Sequence, residues 1–182
     1  MTQLYLGVAG VKKLAATQTW GQISETGFML LMPLMFARLG VKKMLMIGMA
    51  AWVLRYALFA LAAPDAVFWM IFIGIVLHGV CYDFFFVTGQ IYVDKKSTPA
   101  IRGQAQGFLV LVTYGVGMLI GAQIAGKVYG SFLAPGATSL TLEQWNQFWW
   151  LPAGFAAAVL VFFTLLFKAS QGATEDRAAP VR

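Results

Sequence analysis

Charge is what this sequence has least of. Only 11% of its 182 residues are Asp, Glu, Lys or Arg, where an ordinary soluble domain carries about 25%. Cysteine and histidine are nearly absent, with Cys81 and His78 the single examples. That excludes a disulfide framework within the chain and any zinc site built from several Cys and His ligands. Cys81 reads as a small apolar packing residue. The N-terminal stretch "MTQLYLGVAGVKKLAATQ" lacks the basic segment followed by an apolar core that marks a cleavable signal peptide. No nucleophile–base pair stands at helical spacing, so nothing marks an enzyme, and no cofactor-binding motif is present. The net charge of +6 does not imply nucleic acid, because the basic residues fall between apolar runs, where they act as interfacial anchors.

What is present is oil. Hydrophobic residues make up 60% of the chain, and mean hydropathy is +0.75. Five apolar segments are long enough to cross a bilayer, which takes about 20 residues. They run from about Gln18 to Arg38, Lys43 to Ala63, Ala66 to Val93, Ile101 to Ser131 and Gln144 to Lys168. The fold class is therefore an all-α integral membrane protein. Residues 1–17 form a connector, 18–168 the five-helix domain and 169–182 a polar, disordered tail.

The connectors alternate in charge. "RLGVKK" and "DKKSTPAIR" are basic, whereas "AAPDA" and "FLAPGATSLTLEQWNQ" contain no Lys or Arg. The positive-inside rule places the two basic loops and the C-terminus in the cytoplasm. Trp145, Trp149 and Trp150 fit an aromatic belt at the outer interface. Five spans then leave Lys12 and Lys13 outside, so the chain reads as the C-terminal part of a longer protein.

Three ionisable residues interrupt the apolar runs, each in a different span: Glu25, Arg55 and Asp83. Counted from its own cytoplasmic basic anchor, each lies about 18–20 Å along its helix, so the three share one depth. Charge at that depth costs at least about 2.5 kcal/mol, and such groups face a bundle interior or a wet cavity. Gln18, Gln22 and Glu25 form one polar stripe. Asp83, Gln90 and Asp94 share a face by the same counting. The three charges read either as an ion cluster holding helices together, with Arg55 a possible charge partner for either acid, or as the lining of a hydrated cavity with Asp83 opposite Glu25. His78 reads as an interhelical hydrogen-bonder. Gly117, Gly121 and Ala125 recur every four residues, a spacing that lets helices pack closely.

"GQISE" (Gly21–Glu25), "FARLGVKKMLMIGMAAWVLRYALFA" and "LHGVCYDFFFVTGQIYVDKK" together resemble the nucleoside:proton symporters of the major facilitator superfamily. The resemblance runs from about Leu4 to about Phe167. It implies that the five spans match helices eight to twelve of a twelve-helix transporter, with the N-terminal half missing. It implies substrate contacts from Gln22, Glu25, Tyr82 and Asp83, and proton coupling through Asp83 and Glu25. It makes Arg38, Gly40, Lys42 and Lys43 a cytoplasmic gating loop. The partners it implies are a nucleoside, protons, the lipid bilayer and the missing half, in a bacterial inner membrane. Two alternatives stay open: a sugar or other polar-solute transporter, or a truncated membrane protein that does not transport.

The topology is directly testable. Cysteines introduced at Lys43 and Ser97 are expected to label only from the cytoplasm, and one at Gly136 only from outside. Labelling of Gly136→Cys exclusively from the cytoplasmic side would reverse the orientation.

Overall fold

In lipid every backbone N–H and C=O must be satisfied within the protein, which an isolated span achieves as a helix. The computed structural model describes residues 1–167, and the polar stretch after them lies outside the described residues. All the regular elements among the described residues are helices. Helix α1 is short, Thr2–Val8. Helix α2 covers Leu14–Ala62, α3 Phe68–Lys96, α4 Arg102–Phe132 and α5 Leu142–Leu166, and these four are long and apolar enough to cross a membrane.

Helix α2 supplies two of the five expected spans. A straight helix of its 49 residues would be roughly 74 Å long, more than twice the hydrocarbon thickness. It does not run straight, because Gly40 breaks it with φ 70° and ψ 171°. This region of backbone space is essentially open to glycine alone. The break folds the two limbs into a hairpin against α3. In the first limb Gly21 meets Ile75, the Ser24–Glu25 backbone meets Gly79, and Met32 packs near Phe84, so the limb and α3 run in the same direction. In the second limb Gly48 lies against Phe84 and Phe59 against Gly74, so that limb runs the opposite way.

The contact is backbone to backbone. A Cβ on Gly79 would come within 2.5 Å of the Glu25 amide nitrogen and the Ser24 hydroxyl. One on Gly48 would stand 2.9 Å from the Phe84 carbonyl carbon and the Phe85 nitrogen. Ser24 Oγ donates to the Val76 carbonyl at 2.5 Å, clipping the first limb to α3. Deeper toward the basic loops, Met32, Met44 and Phe84 form a buried cluster, and the Lys95 ammonium lies 4.4 Å from the Phe36 ring centre.

At the other end an aromatic core gathers Tyr5, Phe59, Ile75, Trp145, Phe148 and Trp149. Two of the three tryptophans expected in an interfacial belt are therefore packed inside, and only Trp150 is largely exposed. The reason is helical phase: Trp145 and Trp149 are four apart and stack on each other, while Trp150 turns outward. Helix α5 starts at a capping box, with Thr141 Oγ1 accepting from the Gln144 amide and the Gln144 side chain accepting from the Thr141 amide.

Helix α4 differs from the others in having no buried residue. It is tied at points along its length. Arg102 Nε is 3.3 Å from Asp94, Gln106 donates to the Gln90 carbonyl at 2.8 Å, and Tyr114 is hydrogen-bonded to Tyr82. The glycine stripe expected to pack against another helix is open: a Cβ on Gly121 would meet nothing within 4 Å.

Gly40→Ala is expected to cost about 1–3 kcal/mol through backbone strain. Gly79→Ala is expected to cost a similar amount by wedging the first limb from α3. Thermal unfolding in detergent measures both. An unchanged midpoint for either variant would contradict the geometry described.

Candidate functional site

The pinch at Gly79 sets the neighbourhood of the two acids. Glu25 sits half-buried on the first limb, its own amide against Gly79. Asp83 follows one turn after Gly79 on α3. Asp83 is fully buried, and neither carboxylate oxygen has a hydrogen-bond partner among the described residues. It does not line a hydrated cavity as the sequence suggests. It is held inside the helix packing, between the buried Cys81 and Phe84.

The cause is local. Residues Asp83–Val87 form a π-helical turn. Such a turn carries one residue more than an α-turn, so residues beyond it are displaced by about 100° from an α-helical count. The face joining Asp83, Gln90 and Asp94 therefore does not exist. Asp83 points inward, the Gln90 carbonyl accepts from Gln106, and Asp94 pairs with Arg102. A second π-turn, Leu111–Gly117, interrupts α4. It contains Tyr114, whose hydroxyl lies 2.7 Å from that of Tyr82 and whose ring centre is 5.2 Å from that of Phe86. Tyr114 is a member of this cluster that spacing alone gives no means of finding.

Arg55 is placed elsewhere. Its Nη1 donates to His78 Nδ1 at 2.8 Å, and among the described residues no ion pair joins it to Glu25 or Asp83. The guanidinium also lies 5.4 Å from the Trp52 ring centre and 5.5 Å from that of Phe59. An arginine only donates, so Nδ1 of His78 must be the acceptor and its other nitrogen carries the hydrogen. The reading of His78 as an interhelical hydrogen-bonder agrees with this contact.

Gln22, exposed on the first limb, lines a cavity of about 420 Å³ together with Gln18, Arg55 and His78. Glu25, Tyr82 and Asp83 are not part of that lining. Of the proposed loop residues, Arg38 and Lys43 are exposed, Lys42 is partly buried, and Gly40 makes the turn.

The arrangement resembles known proteins over nearly its whole length. The family described as "Nucleoside H+ symporter" matches residues 2–172. The chain is 37% identical over 170 residues to the putative nucleoside transporter YegT of Escherichia coli, covering 91% of this chain and 40% of that protein. It is 35% identical to the nucleoside permease NupG of Escherichia coli, over 81% of this chain and 34% of that one. A crystal structure of NupG superposes with a TM-score of 0.73 at 32% identity, over 85% of this chain and 37% of the other. The chain thus spans well under half the length of these relatives.

His78→Leu is expected to destabilise the fold by about 1.5–3 kcal/mol, because a half-buried cation loses its acceptor. His78→Gln, which keeps an acceptor oxygen, is expected to lose less. Equal unfolding midpoints for the two variants would show that the Arg55 contact contributes nothing.

Proposed function

Because the chain belongs to the nucleoside H+ symporter family, we propose that it forms the C-terminal half of a transporter that couples nucleoside uptake to protons by alternating access. The observation that carries the reading is the pair of acids, with the Glu25 backbone against Gly79 and Asp83 one turn beyond that glycine on α3. Substrate in such transporters sits between two halves near the bilayer middle. A nucleoside offers hydroxyl donors, which suit the carboxylate of Glu25 and the amide of Gln22. Its base offers a flat face for Tyr82, whose ring lies 5.4 Å from that of Phe86.

Asp83 is our choice for the proton carrier. Its two unpartnered, buried oxygens make the ionised form costly unless a proton or a new donor arrives. Glu25, half-buried, is our choice for substrate contact. The Arg38–Lys43 turn serves as the cytoplasmic gating loop, and the protein resides in a bacterial inner membrane with its C-terminus cytoplasmic. The five helices alone carry half a site and are expected not to concentrate nucleoside.

The test is uptake of labelled uridine by the full-length transporter containing these residues. Asp83→Asn is expected to abolish uptake against a gradient while leaving exchange down a gradient. Glu25→Gln is expected mainly to raise KM, because a neutral acceptor makes weaker hydrogen bonds to hydroxyls. Concentrative uptake by Asp83→Asn with an unchanged pH dependence would refute the coupling role. Accumulation driven by residues 1–182 alone would refute the half-site.

A further inference from the structure

Two π-turns meet where α3 passes α4. The one in α3, Asp83–Val87, begins directly after Tyr82. The one in α4, Leu111–Gly117, contains Tyr114 and ends on a glycine. That residue type has a local reason: a Cβ on Gly117 would stand 3.0 Å from the Val112 carbonyl oxygen. Turns of this kind recur at functional sites. Here they bring three rings of two helices together. The Phe86 ring centre lies 5.4 Å from that of Tyr82 and 5.2 Å from that of Tyr114, and the two tyrosine hydroxyls close the triangle at 2.7 Å.

The bond between the hydroxyls constrains more than two oxygens. A phenol oxygen lies on the axis of its ring, so holding the oxygen holds the direction of the ring. His78 and Phe86, the neighbours of Tyr82 on its own helix, give it ring contacts at 6.0 and 5.4 Å. The bond to Tyr114 adds a directional tie at the ring's tip. It comes from a helix that buries no residue and whose ties at Arg102 and Gln106 lie near its start. Tyr114 stands roughly 12 Å beyond Gln106 along the axis.

We propose that Tyr114 is a positioning residue for nucleoside binding. It acts through Tyr82, whose ring it holds as a preset flat face for the base. A ring already fixed loses little freedom when a base stacks on it, and the difference appears as affinity. The Tyr114 hydroxyl is engaged with Tyr82 and not with substrate, so its loss weakens ground state and transition state alike. The inference rests on the reading of Tyr82 as the face for the base, and adds to it the residue on another helix that sets that face.

The experiment measures uptake of uridine and of deoxyuridine by the full-length transporter containing these residues. Tyr114→Phe keeps the ring and removes the hydroxyl. It is expected to raise KM for uridine about two- to tenfold, the range that one hydrogen bond commands, with kcat unchanged. Tyr82→Phe cuts the same bond from the other side, and the double variant is expected to have the KM of Tyr82→Phe alone. The ratio of the KM values for the two nucleosides is expected to stay as in the unaltered protein, because they share a base and differ in the sugar. An unchanged KM in Tyr114→Phe, rises that multiply in the double variant, or a fall in kcat with KM intact would overturn the positioning role. A shifted ratio would move the contact from base to sugar and overturn the assignment to the base. The unaltered transporter is the control for the nucleoside reading. No uridine uptake by it refutes that reading, whereas uptake that Tyr114→Phe matches refutes this inference alone.

Discussion

The structure depends on two backbone contacts no wider than a glycine. At Gly79 and Gly48, α3 lies directly against the two limbs of α2, with no side chain between. Apolar side chains give membrane helices little reason to prefer each other over lipid, so association rests on close packing and interhelical hydrogen bonds. Here both occur together: the glycine at 79 admits the Ser24–Glu25 backbone, and the Ser24 hydroxyl bonds the Val76 carbonyl. This fixes the register of the first limb on α3. Through that register it also fixes which residue of one helix faces which residue of the other, Glu25 and Asp83 included.

From this register follows a division of the polar groups. Among the described residues no ion pair joins Glu25 or Asp83 to a cation, whereas Arg55 on the second limb donates to His78, whose ring centre lies 6.0 Å from that of Tyr82. A single charge cluster would have neutralised the acids at rest. Keeping the arginine away leaves Asp83 without a partner among the described residues, so its ionised form is costly where it lies.

The spans were legible in the sequence because length and apolarity are sufficient signals in a membrane. The break in α2 was legible as "RLGVKK", since a glycine between basic residues leaves few alternatives to a turn. Rise per residue led to the expectation that Glu25 and Asp83 lie near one level, and the contact of the Glu25 backbone with Gly79, one turn before Asp83, agrees with it. What failed were arguments that needed rotation about the helix axis. Counting four and seven residues from Asp83 passes through a π-turn, and composition gives no warning of one at "DFFFV". Partner choice failed for a related reason: Arg55 shares the acids' depth but lies on a different limb, and depth contains no information about azimuth. The tryptophans of α5 were expected to face an interface, but helical phase packs Trp145 and Trp149 inside and leaves Trp150 exposed.

The far end of the second limb has a consequence for synthesis. The last four carbonyls of a helix have no partners within it. Two carbonyls in this last turn accept from distant side chains: Phe59 from Tyr5, and Ala60 from Asn146 Nδ2 at 2.8 Å. Tyr5 precedes them on the chain, but Asn146 follows Ala60 by 86 residues. At a translation rate of about 5–20 residues per second the ribosome needs roughly 4–17 s to deliver it. For that interval the Ala60 carbonyl lacks this donor, and α5 is the piece that closes this end of the second limb.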